Sequence, residues 1–136
     1  MLTLCENYQE NIKRIDAALR ADESFDLIKK ILYLGKQQIT MYYIDGFVES
    51  GSMNKLMIYL LSLKEISPAD TPVGEESARY FLEHSLPYVE AEVATNPDTM
   101  IQMVLSGTTL ILGETFGASA LVLDSRTYPT RWVGEP

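Results

Sequence analysis

The sequence predicts an α+β fold, with two β-hairpins forming a small mixed sheet packed against about four helices. Three observations lead there. Leu4, Tyr8, Ile12, Ile15 and Leu19 recur at spacings of 4, 4, 3 and 4, which is one face of an amphipathic helix. Two apolar stretches are broken in the middle by Gly35-Lys36 and by Gly113-Glu114-Thr115-Phe116-Gly117, the strand–turn–strand composition of hairpins. Between them lie segments with helix start and stop signals. Strand pairs separated by helices are the layout of a sheet with helices laid over it.

The elements follow in chain order. Thr3-Leu4-Cys5-Glu6 reads as a capping box, in which the Thr3 hydroxyl takes a free amide near Glu6 and Glu6 reaches back. The first helix is therefore expected over about residues 4–21. Residues 25–34 are rich in β-branched and aromatic side chains. Leu27, Ile31 and Tyr33 fall on one side and Ile28, Leu32 and Leu34 on the other, so both faces are mostly apolar. After the Gly35-Lys36 turn, residues 38–44 form the return strand, which Asp45-Gly46 ends because glycine permits positive φ.

Ser52 is placed to cap a second helix reaching about residue 63, with Met53, Leu56, Met57, Leu60 and Leu61 on its face. Residues 64–74, with Pro68, Pro72 and Gly74, read as a surface loop. A short helix at 75–85 stops before Pro87, and residues 88–93 alternate as a short edge strand would. Asn96-Pro97 is a strong start signal, Asn as N-cap and Pro in the first helical position. Met100, Ile101, Val104 and Leu105 supply the buried face of that helix, and Gly107 stops it. Residues 108–112 and 118–124 make the second hairpin around the glycine-bracketed turn.

Composition bounds the function. At 136 residues the chain fits one domain. Its mean hydropathy of −0.02 and 46% hydrophobic content suit a globule with a core. No apolar run approaches the roughly 18 residues of a spanning helix, and Met1-Leu2-Thr3-Leu4-Cys5-Glu6 lacks a basic region ahead of an apolar core, so no secretory signal is read. The piece is expected to be soluble. The net charge of −8, from 19 acidic and 11 basic residues, argues against nucleic acid, which rewards a basic stripe through counterion release. Acidity could draw cations, but a solvated surface that aids solubility is the preferred reading. Cys5 is the only cysteine, which rules out an intrachain disulfide and fits a reducing compartment.

No residue set points to catalysis. His84 is the only histidine, and no Gly-x-Ser-x-Gly elbow accompanies it, so it reads as a helix-end or surface residue. One His and one Cys do not furnish a zinc site. Cys5 in a first helical turn could have a lowered thiol pKa, but beside Leu4 and Tyr8 it reads as a small core residue. The carboxylate pairs Asp22-Glu23, Glu75-Glu76 and Glu90/Glu92 fall in turns, a helix start and an edge, where solvation prevails over acid–base work. The two glycines of 113–117 are followed by no Gly-Lys-Ser/Thr and read as a hairpin turn, not a phosphate cradle. Tyr33, Tyr42, Tyr43 and Phe47 could line a small-ligand pocket, though sheet packing is favoured. No cofactor and no metal are expected.

Several motifs together carry a family resemblance. Asp124-Ser125-Arg126-Thr127-Tyr128-Pro129-Thr130-Arg131, followed by Glu135-Pro136, is similar to the signature closing the first half of the soluble N-terminal domain in the GerA/SpoVAF family of bacterial spore germination membrane proteins. Tyr43-Ile44-Asp45-Gly46-Phe47, Gly107-Thr108-Thr109-Leu110-Ile111-Leu112 and the opening stretch Glu6 to Ile15 agree, in the right order and over nearly the whole chain. Trp132-Val133-Gly134 stands where a smaller, more polar link would be expected. Ser125-Arg126-Thr127-Tyr128-Pro129 leans toward the SpoVAF branch.

The resemblance implies a protein of the spore inner membrane in a sporulating Firmicute, its N-terminal domain made of two small α/β lobes and followed by transmembrane helices. Residues 1–124 would be one lobe and residues 125–136 an extended linker arm toward a missing second lobe. The absence of a signal segment favours the cytoplasmic, spore-core side. Tyr128, Arg131, Trp132 and Glu135 on the arm are the candidate interface residues, the first three being amphipathic side chains of a kind enriched at contacts. Expected partners are that lobe, other germination membrane proteins and, in the intact protein, further copies of itself. Two mechanisms remain open: a non-enzymatic assembly and signalling module linked to ion or dipicolinate release, or half of a germinant-binding cleft in a nutrient receptor.

Overall fold

The computed structural model describes residues 2–21, 26–86 and 90–124. Outside them lie the Asp22-Glu23 pair, Phe25, Pro87, the first residues of the expected edge strand, and the whole arm with Tyr128, Arg131, Trp132 and Glu135. The elements run α1 (Tyr8–Leu19), β1 (Leu27–Leu34), β2 (Gln37–Ile44), α2 (Ser50–Leu61), α3 (Glu75–Ser85), β3 (Ala91–Ala94), α4 (Pro97–Leu105), β4 (Thr109–Gly113) and β5 (Ala120–Leu123). The strands form one sheet in the order β1-β2-β4-β5-β3. All four pairings are antiparallel, where the sequence suggested a mixed sheet. The two hairpins meet through β2 and β4, with Ile39 opposite Gly113 and Tyr42 opposite Leu110.

Helices cover both faces. On one, α2 and α3 lay Met53, Leu56, Leu60, Ala78 and Phe81 over Leu32, Leu34, Ile39, Met41, Ile111, Leu121 and Leu123. On the other, α1 and α4 lay Ile12, Ile15, Leu19, Met100 and Val104 over Tyr42, Leu110, Leu112, Ala120 and Val122. Successive residues of a strand point to opposite faces, so β4, β5 and the middle of β2 are buried on both sides. Thr109–Gly113 and Ala120–Leu123 are buried throughout. β1 differs. Leu32 and Leu34 are buried, but Ile31 and Tyr33, on the α1/α4 face, are 48% and 56% exposed because neither helix reaches that far.

Two helix starts differ from expectation, each for a local reason. α1 begins at Tyr8, and its cap is Asn7, whose side-chain oxygen accepts from the Glu10 amide at 2.8 Å. The Thr3 capping box does not form. Asn11 accepts from the Cys5 amide at 2.8 Å and donates to the Cys5 carbonyl at 2.8 Å, which ties up the backbone that an earlier turn would need. Thr3 instead accepts from Arg14. α2 is capped by Glu49, not Ser52: a Glu49 carboxylate oxygen accepts from the Ser52 amide at 2.7 Å, and hydrogen bonding from the Ser52 side chain first, then from the Ser52 and Gly51 amides, lowers the carboxyl pKa. Asn96 caps α4 as expected, accepting from Thr99.

Residues 64–74 are not only a surface loop. Ile66 and Ser67 are buried, with the Ile66 amide donating to Gln37 at 2.6 Å. The loop is tied to the β4–β5 turn by the Gly74 amide on the Thr115 carbonyl and by a hydroxyl chain through Ser67, Ser77 and Thr115. That turn is a hairpin turn, as its glycines suggested, and it tucks Phe116 beside Phe81 at 6.0 Å between ring centres. A Cβ on Gly113 would meet the Phe116 ring at 2.9 Å, so a side chain there would displace it.

Asn11 is the test of this arrangement. Besides holding Cys5 it donates to the Gly117 carbonyl at 3.1 Å, joining the N-terminal segment to the second hairpin turn. Asn11→Ala should cost about 2–3 kcal/mol by stranding buried backbone groups, and lower the melting temperature by on the order of 10 °C. Circular dichroism melting measures this; a loss below about 0.5 kcal/mol would show that the bridge contributes nothing.

Candidate functional site

Among the described residues nothing assembles into a catalytic centre. His84 is exposed, its Nδ1 lies 3.1 Å from the Tyr80 carbonyl oxygen, and its ring stacks on Tyr80 at 4.0 Å. Cys5 is half-buried, with its sulfur 3.9 Å from the Asn7 carbonyl oxygen. Glu75 pairs with Arg79 at 2.8 Å on the surface. No group of three or more His, Cys, Asp or Glu side chains among the described residues could hold a metal ion.

One group of polar side chains joins α1 to the sheet. Tyr42 donates to one Asp16 oxygen at 2.7 Å, and Lys29 donates to the other at 2.8 Å, so one carboxylate joins the helix to two strands. Tyr8 shares a 2.6 Å hydrogen bond with Thr40. Burial pushes the Tyr8 phenol up to about 12; the Thr40 bond works against that and the Glu114 charge with it. Tyr42 is pushed up further, by burial first and then by its bond to Asp16 and the charge that Asp16 carries. Burial, with Asp45 nearby, also raises Tyr43. Every buried side-chain nitrogen or oxygen among the described residues has a partner.

The aromatic group of the first hairpin does not line a pocket. Tyr42 lies in the α1/α4 core and Tyr43 in the α2/α3 core, on opposite faces of β2, while Tyr33 and Phe47 are exposed. Packing, the preferred reading, accounts for them. The clefts lined by described residues that stand out are open to the surface. One of about 560 Å³ is lined by Glu90, Ala91, Glu92, Met103, Thr108, Val122 and Asp124 between β3, β5 and α4. Its three carboxylates set it apart from the largely apolar cavities that take small molecules.

The outer surface is more distinctive. Residues 27–64 carry Lys29, Lys30, Lys36, Lys55 and Lys64 against only Asp45 and Glu49. Residues 80–124 carry Glu83, Glu90, Glu92, Asp98, Glu114 and Asp124 and no Lys or Arg. The strand order sends these two segments to opposite edges, β1 basic and β3 acidic. Large apolar side chains also stand exposed on α2, Ile58 at 70% and Leu61 at 52%. Sequence reasoning missed this division: the charges were countable, but their separation depends on the strand order. The predicted interface residues Tyr128, Arg131, Trp132 and Glu135 lie outside the described residues. No helix among the described residues is long and apolar enough to cross a membrane.

A sequence model of the Bacillus/Clostridium GerA spore germination protein family matches residues 13–136. No curated protein matches the chain. Among solved structures the fold is similar to the crystal structure of the N-terminal domain of the A subunit of the Bacillus megaterium spore germinant receptor GerK3. The TM-score is 0.69 at 16% identity, over 93% of this chain and 49% of that one. The chain thus spans about half of that domain.

Two outcomes follow from the site geometry. His84→Ala should leave stability within about 1 kcal/mol, since only an exposed ring stack is lost; a larger drop in urea unfolding would show a buried role. The tyrosines set an alkaline limit. Their folded pKa values lie above the ordinary value near 10, so their contribution is complete below pH 10 and is lost as pH rises toward about 12 for Tyr8 and beyond that for Tyr42. Stability from urea unfolding should fall between pH 10 and 12, and Tyr42→Phe should flatten that fall. An unchanged slope in the variant would mean that its phenol ionises freely in the fold.

Proposed function

The chain belongs to the Bacillus/Clostridium GerA spore germination protein family, and from that premise we propose that it is one non-enzymatic lobe of the N-terminal domain of a spore inner-membrane germination protein. Its part is assembly and signalling during germination. The observation that carries this reading is the pairing of the family match over residues 13–136 with a fold equivalent to half of a germinant receptor A-subunit domain. Among the described residues the interior is packed and its buried polar side chains have partners, which favours a role for the surface.

The contacts we assign to it are with a second lobe, with other germination membrane proteins and with further copies of the intact protein. Tyr128, Arg131, Trp132 and Glu135 provide the arm's share of them. Within the family the Ser125-Arg126-Thr127-Tyr128-Pro129 stretch favours a SpoVAF-like role tied to ion or dipicolinate release, with the domain on the cytoplasmic side. A second reading, half of a germinant-binding cleft, draws support from the cleft beside Asp124, at the end of β5.

A thermal-shift panel of amino acids, sugars and dipicolinate separates the two readings. A ligand present at 100 times its Kd adds about 2.7 kcal/mol, a shift of several degrees for a domain of this size. The assembly reading expects a flat response from this chain and from a two-lobe protein, together with weaker co-purification of partners on Arg131→Ala. A ligand that stabilises the two-lobe protein would transfer the function to the cleft.

A further inference from the structure

We propose that the two sheet edges of this lobe are complementary docking surfaces, so that β3 of one copy pairs antiparallel with β1 of the next. This deepens the assembly reading, on which it rests, by naming the surfaces and the partner, a second copy of the chain. Among the described residues no strand pairs with the outer side of β1 or of β3. Such edges present unpaired N–H and C=O groups, and a protein must either defend them or use them.

Charge selects the pairing. Lys29 and Lys30 on β1 reject a second β1 edge, and Glu90 and Glu92 beside and on β3 reject a second β3 edge, since like charges directly opposite on paired strands are destabilising. Only the unlike combination brings opposite charges together. Specificity of this kind, built by penalising the wrong partners, favours a head-to-tail contact over a two-fold one.

The side chains fit that contact. Counting through the antiparallel ladders, β1 and β3 point the same way. An antiparallel β3–β1 contact therefore turns the neighbour over, setting its α1/α4 face beside the first copy's α2/α3 face. Glu92 shares the α1/α4 face with its cross-strand partner Val122, and Lys30 shares the α2/α3 face with Leu32 and Leu34. Turning the neighbour over brings Glu92 opposite Lys30, with Ala91 opposite Ile31. The part-buried Ala91 of the neighbour then covers the exposed Ile31, with the part-buried Val93 on its diagonal, opposite Lys29. Lys29 stays with Asp16, to which it is already bonded.

Sedimentation equilibrium of the 136-residue chain, with K30E, E92K and the double variant K30E/E92K, tests the pairing. All positions are exposed, so melting temperatures should stay near wild type. The wild-type chain should associate reversibly, about tenfold more weakly at 0.5 M than at 0.05 M salt. Each single reversal should weaken association by at least about tenfold, and the double variant should recover to within about threefold. A monomeric wild type, singles that behave as wild type, or a double that fails to recover would each overturn the edge pairing. None of these results bears on the ligand panel or on Arg131→Ala, so the assembly reading stands or falls separately.

Discussion

Burial of β2, β4 and β5 on both faces is the constraint on which the rest of this lobe depends. A sheet with one wet face needs one layer of helices; a sheet apolar on both needs two. The four helices divide two and two, α1 with α4 and α2 with α3. Among the described residues the strand faces are occupied by Ile15, Met100 and Val104 on one side and by Leu60, Phe81 and Phe116 on the other. Each such side chain contributes roughly 1.5–3 kcal/mol by leaving water, so a cavity carved between the layers would cost what it displaced. Chemistry or recognition is pushed outward, to the surface clefts, the helix tops and the sheet edges.

The interior polar groups fit the same account. Asp16 is shared by Tyr42 and Lys29, Asn11 by Cys5 and Gly117, and Ser77 by Ser67 and Thr115. Each joins segments distant in sequence, and each is satisfied by its partners, so none is left over to bind something else. An unpaired buried polar group costs about 1–3 kcal/mol, which makes such networks effective at fixing register and poor as reservoirs of reactivity. The raised tyrosine pKa values have this origin. They record phenols sealed in a helix–sheet seam, not groups poised for proton transfer.

What the sequence made legible was local. Asn96-Pro97 announced α4 because a cap and a first-turn proline act within four residues, and the 75–85 helix and both hairpin turns were readable for similar reasons. Thr3 misled because the competing interaction is distant: Asn11 holds Cys5 while reaching Gly117, more than a hundred positions away. Glu49 was missed because a glutamate cap is less usual than the serine three residues on. The unbroken apolar runs of β4 and β5 implied burial on both faces, yet which helices cover which face follows from packing and not from periodicity. The charge division between residues 27–64 and 80–124 was visible as a count. Its meaning was not, because only the β2–β4 pairing sends those segments to opposite edges.

A sheet covered by helices on both faces couples its two layers. Its two cores share one sheet, so displacing an edge strand shifts side chains in both layers at once, as expected of interiors packed to crystal-like density. β1 is joined to α1 through Lys29 and Asp16, and the residue before β3 to the end of β5 through the Asp124 amide on the Glu90 carbonyl. A contact at either edge therefore bears directly on a neighbouring element: α1 at one edge, and the end of β5 at the other.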